Sequence, residues 1–149
     1  MLIDAAVADR HRALWITALG TGLRQGELLA LRWEDVDLDA GRLRVRHSLA
    51  NVNGTLTLQE PKTDRSRRSL VLPEVVTTAL RAHRTRQKMD QLVAGSRWAD
   101  SGHVFATMLG MPHHAATITR CFQDALDRAK LPRVRFHEYA DLLVMPTLA

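Results

Sequence analysis

Apolar positions follow two different periods along this chain, and the change of period marks its organisation. From Asp4 to Leu19 the spacing is helical, with Asp4 as N-cap and Gly20 as terminator, which predicts a helix over 4–19. A shorter helix is predicted over 25–32, with Leu28, Leu29 and Leu31 burying one side. After a turn at 37–41 the period drops to two. It predicts strands over 42–49, 55–59 and 67–72, joined by the hairpin signal Asn53-Gly54 and the polar turn Thr63-Asp64-Arg65-Ser66. Together these make a three-stranded antiparallel meander. Pro73 then opens a helix reaching about Leu92, with Val75, Val76, Ala79 and Leu80 as its buried stripe. Val104-Phe105 reads as a short extended piece. The clearest helix spans 115–130, where Ile118, Cys121, Phe122, Ala125 and Leu126 fall on one face and Cys121 reads as a small core residue. The fold class expected is α+β, mostly helical, in one domain over 1–149.

Composition narrows the function classes without choosing one. With 149 residues, 46% hydrophobic and 25% charged, the chain can build a core and is not expected to be disordered. Its apolar runs fall short of the roughly 18 residues that span a bilayer, and its N-terminus lacks a secretory layout. The single cysteine excludes an internal disulfide and suits a reducing compartment, so a cytoplasmic location is expected. A net charge of +5 points to a polyanionic partner. The basic residues cluster. Arg42, Arg44 and Arg46 alternate with Leu43 and Val45, so they are expected on one strand face, and Lys62, Arg65, Arg67 and Arg68 crowd the next turn. Few aromatic residues interleave with them, which favours duplex phosphate contacts over stacking on single-stranded bases. His103, His113 and His114 have no cysteine or acidic residue at metal-site spacing, and there is no Gly-rich phosphate loop, so neither a metal nor a nucleotide cofactor is expected.

The most specific segment is Thr21-Gly22-Leu23-Arg24-Gln25-Gly26-Glu27-Leu28-Leu29-Ala30-Leu31-Arg32-Trp33. A glycine turn sets Arg24 where a helix begins, and a guanidinium held that way offers a planar fork of donors to phosphate oxygens. The segment resembles the box around the first catalytic arginine of the tyrosine recombinases, the phage-integrase family. The order of elements, helices then a small sheet then helices, resembles that family's catalytic domain over about residues 4–137. The resemblance implies that Arg24 holds the scissile phosphate and that Lys62, in Pro61-Lys62-Thr63-Asp64-Arg65-Ser66-Arg67-Arg68, protonates the departing 5′ oxygen. It implies a structural role for Glu27, either orienting Arg24 or supporting the helix start.

The third family box, His-x-x-Arg-His, begins after Leu131-Pro132-Arg133-Val134-Arg135-Phe136 with His137, which the resemblance casts as an aid to proton transfer. It then breaks. Ala140 stands at the second arginine position and Asp141 at the last histidine position. Alanine cannot share the negative charge of a pentavalent phosphorane. The family's nucleophilic tyrosine is expected a few tens of residues further on; Tyr139, the one tyrosine here, sits inside the broken box and reads as a packed side chain. The apolar tail 142–149 is expected to leave an exposed patch. The sequence thus reads as an incomplete recombinase catalytic domain without its N-terminal DNA-binding domain, with double-stranded DNA and other recombinase protomers as partners. Three roles stay open: a recombinase completed by another chain, a non-catalytic DNA-binding or regulatory module, and a product with no selected role.

Overall fold

The structure, a computed structural model, describes residues 9–59, 68–136 and 138. The expected N-cap Asp4, the turn carrying Lys62, Arg65 and Arg67, the box residues His137, Tyr139, Ala140 and Asp141, and the tail 142–149 lie outside them.

Helix α1 spans Arg12–Thr21. Its N-terminus is organised by Asp9, whose carboxylate accepts the His11 N–H at 2.8 Å. It ends one turn later than the sequence suggests, at Gly22, whose φ of 68° is left-handed and whose N–H returns to the Ala18 carbonyl. Gly20 lies inside the helix for a different reason. A Cβ there would stand 2.3 Å from Val76 Cγ2, so the glycine lets the third helix pack close. Helix α2, Gln25–Ala30, stops two residues earlier than expected because Leu31 turns extended, and it buries Leu28, Leu29 and Ala30.

Five short strands follow: β1 Val36–Asp37, β2 Arg42–Val45, β3 Ser48–Val52, β4 Thr55–Gln59 and β5 Arg68–Val71. The sheet is three-stranded and antiparallel, but its order is β1-β2-β5, and β3 and β4 form a separate hairpin. The expected continuous strand over 42–49 is therefore two strands. Gly26 supplies the physical reason. A Cβ on it would meet Ser48 Oγ at 2.5 Å and the Leu49 carbonyl at 3.0 Å. The chain leaves the sheet at Arg46-His47 so that β3 can close on α2 at this bare position. The hairpin turn is as expected, with Asn53 and Gly54 both at positive φ, 52° and 83°.

Helix α3, Glu74–Ala94, starts after Pro73 and buries Val76, Ala79 and Leu80. Val75, expected in that stripe, is 59% exposed because it falls on the stripe's solvent edge. Val104 and Phe105 are buried, the Val104 N–H bonding the Leu31 carbonyl at 2.9 Å. Helix α4, Ala115–Arg128, buries Ile118, Phe122, Ala125 and Leu126, while Cys121 is half-buried. Phe122 joins Trp15 and Phe136 in an aromatic cluster, with centroids 5.4 and 5.2 Å away. The core thus ties α1, α2 and α4 together beneath the sheet. No helix of the described residues is long and apolar enough to cross a membrane.

Candidate functional site

Arg24 stands where sequence reasoning puts it, in extended conformation (φ −68°, ψ 153°) immediately before α2. Its side chain is exposed, and its guanidinium makes no hydrogen bond or ion pair among the described residues. What holds it is its backbone. The Arg24 N–H donates to Glu27 Oε1 at 2.9 Å. The same carboxylate accepts from Arg68 on β5, Nη1 to Oε2 at 3.2 Å and Nη2 to Oε1 at 3.4 Å. Glu27 is 8% exposed, so this contact has little competition from water. One buried carboxylate therefore fixes the start of α2 to the edge strand that follows the Lys62 turn. Gln25 adds a second tie. Its amide donates to the Ala115 carbonyl and to Thr119 Oγ1, both at 3.1 Å, anchoring the same helix start to α4. Gln25 carries no sequence signal that separates it from a surface glutamine. Gly26 does carry one, as a glycine inside a helical pattern.

Register explains how the basic residues divide. In the β2–β5 ladder Arg42 faces Val71 and Arg44 faces Ser69, while Leu43 faces Leu70 and Val45 faces Arg68. Arg42, Arg44, Ser69 and Val71 are all exposed, so they share the outer face. Arg68 falls on the inner face beside buried Val45, which is how it reaches Glu27. Arg46 lies past the end of β2, and its Nη1 meets Asp35 Oδ1 at 3.2 Å. Asp35 is 6% exposed. Of the basic residues expected to meet phosphate, Arg24, Arg42 and Arg44 point into solvent without a carboxylate partner among the described residues, whereas Arg46 and Arg68 are held by buried carboxylates. Lys62, Arg65, Arg67 and His137 lie outside the described residues.

The histidines considered as ligands are not brought together. His103 is buried beside Arg32, His113 packs edge-on against His11 at 5.3 Å, and His114 precedes α4. Burial holds His113 down to about 4, with His11 adding to the effect. Burial likewise takes His83 to about 4, against the opposing pull of the Val104 carbonyl that its Nε2–H meets at 2.6 Å. Both rings are neutral at pH 7.

The phage integrase family model matches residues 2–139. A tyrosine recombinase XerC-like protein of Caldanaerobacter subterraneus subsp. tengcongensis is 36% identical over 146 residues, covering 90% of this chain and 37% of the relative. An integrase of Streptomyces ambofaciens is 31% identical over 158 residues, covering 95% of this chain and 39% of its own length. The chain thus spans well under half the length of these relatives. Among solved structures, the Tn1549 transposon integrase in complex with a circular intermediate DNA matches with TM-score 0.77 at 22% identity, over 94% of this chain and 48% of that one. XerA recombinase matches with TM-score 0.75 at 24% identity, over 99% of this chain and 47% of that one. The fold is that of a tyrosine-recombinase catalytic domain.

Proposed function

The chain belongs to the phage integrase family, and from that premise we propose that it binds duplex DNA through backbone phosphates and does not break a strand by itself. The observation that carries the reading is Arg24, a solvent-directed guanidinium whose backbone is clamped by buried Glu27. A cation that is fixed at its root and open at its tip suits a phosphate, because little side-chain freedom is left to lose when the contact forms. Arg42 and Arg44 extend the positive surface along β2. The structure of the Tn1549 integrase with DNA supports the same partner.

In the family's reaction, a tyrosine oxygen attacks the phosphorus, the bond to the 5′ oxygen breaks, and the departing oxygen takes a proton. In this chain Arg24 would neutralise the phosphate, Lys62 would give the proton to the 5′ oxygen, and His137 would assist that transfer. Ala140 leaves the second arginine's share of the charge unmet. Tyr139, beside it, is two residues from His137 and out of place for in-line attack. A non-catalytic DNA-binding role follows for these residues taken alone, and completion by another protomer would have to supply both groups.

The test uses a nicked suicide duplex and fluorescence anisotropy on one preparation. Binding with Kd of roughly 10⁻⁴–10⁻⁶ M at physiological salt, without any covalent protein–DNA adduct on a denaturing gel, is the expected outcome. An adduct that disappears with Tyr139→Phe would refute the non-cleaving reading, and absence of any binding at low salt would refute the DNA reading.

A further inference from the structure

Away from Arg24, the second half of α3 and the loop leading to α4 enclose a cavity of about 170 Å³ whose lining includes Trp33, Arg84, Lys88, Trp98, Asp100 and His103. Its walls are cross-linked. The Gln87 amide donates to the His103 and Val104 carbonyls at 3.2 and 3.0 Å, and its oxygen accepts the Trp33 indole N–H at 2.7 Å. Trp98 is seated over Gly110, where a Cβ would stand 2.8 Å from its ring. The Arg84 guanidinium lies 5.1 Å from the Trp33 ring centroid. Two cations thus line the cavity against one carboxylate.

The feature that asks for an occupant is His103. It is 5% exposed, and neither of its ring nitrogens has a hydrogen-bond partner among the described residues. Buried polar atoms in native proteins are almost always paired, so a cavity wall that leaves both unpaired points to a missing partner. Burial and the nearby Arg32 charge lower its pKa, which keeps the ring neutral at pH 7 with one N–H to donate. We propose that this cavity binds a small aromatic anion, a flat ring bearing a carboxylate or phosphate group. The anionic group meets Arg84 and Lys88, the ring lies against Trp33 and Trp98, and His103 donates its N–H to the ligand. Charge alone would not call for the indoles, and an uncharged ring would leave the cations unused.

The experiment is a titration of the whole chain with benzoate and with phenyl phosphate, read on the indole ¹H–¹⁵N resonances. The chain has 3 tryptophans, and Trp15 is fully buried in the core, so it serves as the internal control. Trp33 and Trp98 should shift saturably with Kd on the order of 1 mM, ordinary for ligands this small, while Trp15 stays still. Cyclohexanecarboxylate and inorganic phosphate, which lack the flat ring, should bind at least about fivefold more weakly. Lys88→Ala, at an exposed position that does not endanger the fold, should weaken benzoate about fivefold or more. His103→Phe should abolish binding while leaving the thermal midpoint unchanged or raised, because it removes two unpaired buried nitrogens. The proposal is overturned if neither aromatic probe moves Trp33 and Trp98 at 20-fold above that ~1 mM expectation. It is also overturned if the saturated ring or phosphate alone binds equally well, or if Lys88→Ala and His103→Phe both bind as wild type does.

Discussion

Replacing Glu27 by alanine should destabilise the domain more than any other single change at an acidic residue near Arg24. Two losses add. The Arg24 N–H loses its acceptor at the start of α2, a capping-type bond worth about 1 kcal/mol. Arg68 loses its carboxylate. Breaking a fully buried pair costs about 3–5 kcal/mol and a surface pair contributes about 0–1. The Glu27 side chain is 9% exposed and that of Arg68 is 34% exposed, which places this pair between the limits, at about 1–3 kcal/mol. The total is about 2–4 kcal/mol, or a thermal midpoint about 5–15 °C lower for a domain of this size. Glu27→Gln keeps an oxygen for the Arg24 N–H and loses only the charge, so about 1–2 kcal/mol is expected. Urea denaturation of the single variants and of the double variant with Arg68→Ala gives a coupling energy, expected at about 1–2 kcal/mol. A Glu27→Ala cost below about 0.5 kcal/mol, or strict additivity with Arg68→Ala, would show that the carboxylate does not hold α2 to β5.

Gly20→Ala should cost about 1–3 kcal/mol by overpacking against Val76 and be partly relieved by Val76→Ala; relief at Gly22→Ala by the same partner change would contradict the assignment. Gly22 has open space around it and a φ of 68°, so its alanine variant should instead lose about 1–2 kcal/mol to backbone strain. His83 and His113 have folded values near 4, below the ordinary 6.5, so the unfolded chain binds more protons between those values. Stability should therefore be full above pH 6.5, fall as the pH drops from 6.5 toward 4, and level off below that for these groups. The slope is at most about 1.4 kcal/mol per pH unit per histidine. Denaturation midpoints that stay flat from pH 7 to 4, or that are unchanged in slope by His113→Phe, would refute it.

Most helices and the Arg24 site were legible because their signals are local. A glycine at a helix end, a proline at a helix start and apolar residues at i, i+3 and i+4 act within a few residues. The strand pairing was not legible, because the break at Arg46-His47 depends on Gly26, some twenty positions earlier, leaving room for Ser48. The alternation of Arg42, Arg44 and Arg46 correctly put the first two on an outer face. It could not reveal that Arg46 turns to buried Asp35, or that register carries Arg68 to the inner face and Glu27. Buried acids paired with basic residues from distant segments are invisible to a pattern of charges. The terminator of α1 was misplaced for the related reason that Gly20 and Gly22 look alike in sequence, although one serves packing and the other φ.

The division of the arginines into solvent-directed and carboxylate-held groups is the centre of the account, and the salt dependence of duplex binding tests it most directly. Each phosphate neutralised contributes about 0.9 to the slope of log K against log salt. Arg42→Ala combined with Arg44→Ala should lower that slope by roughly 2, and Arg24→Ala should lower it by about 1. Arg46→Ala should leave it nearly unchanged, since its guanidinium is committed to Asp35. If Arg46→Ala lowers the slope as much as Arg44→Ala does, or if the Arg24, Arg42 and Arg44 variants keep the wild-type slope, the proposed phosphate-facing surface is wrong.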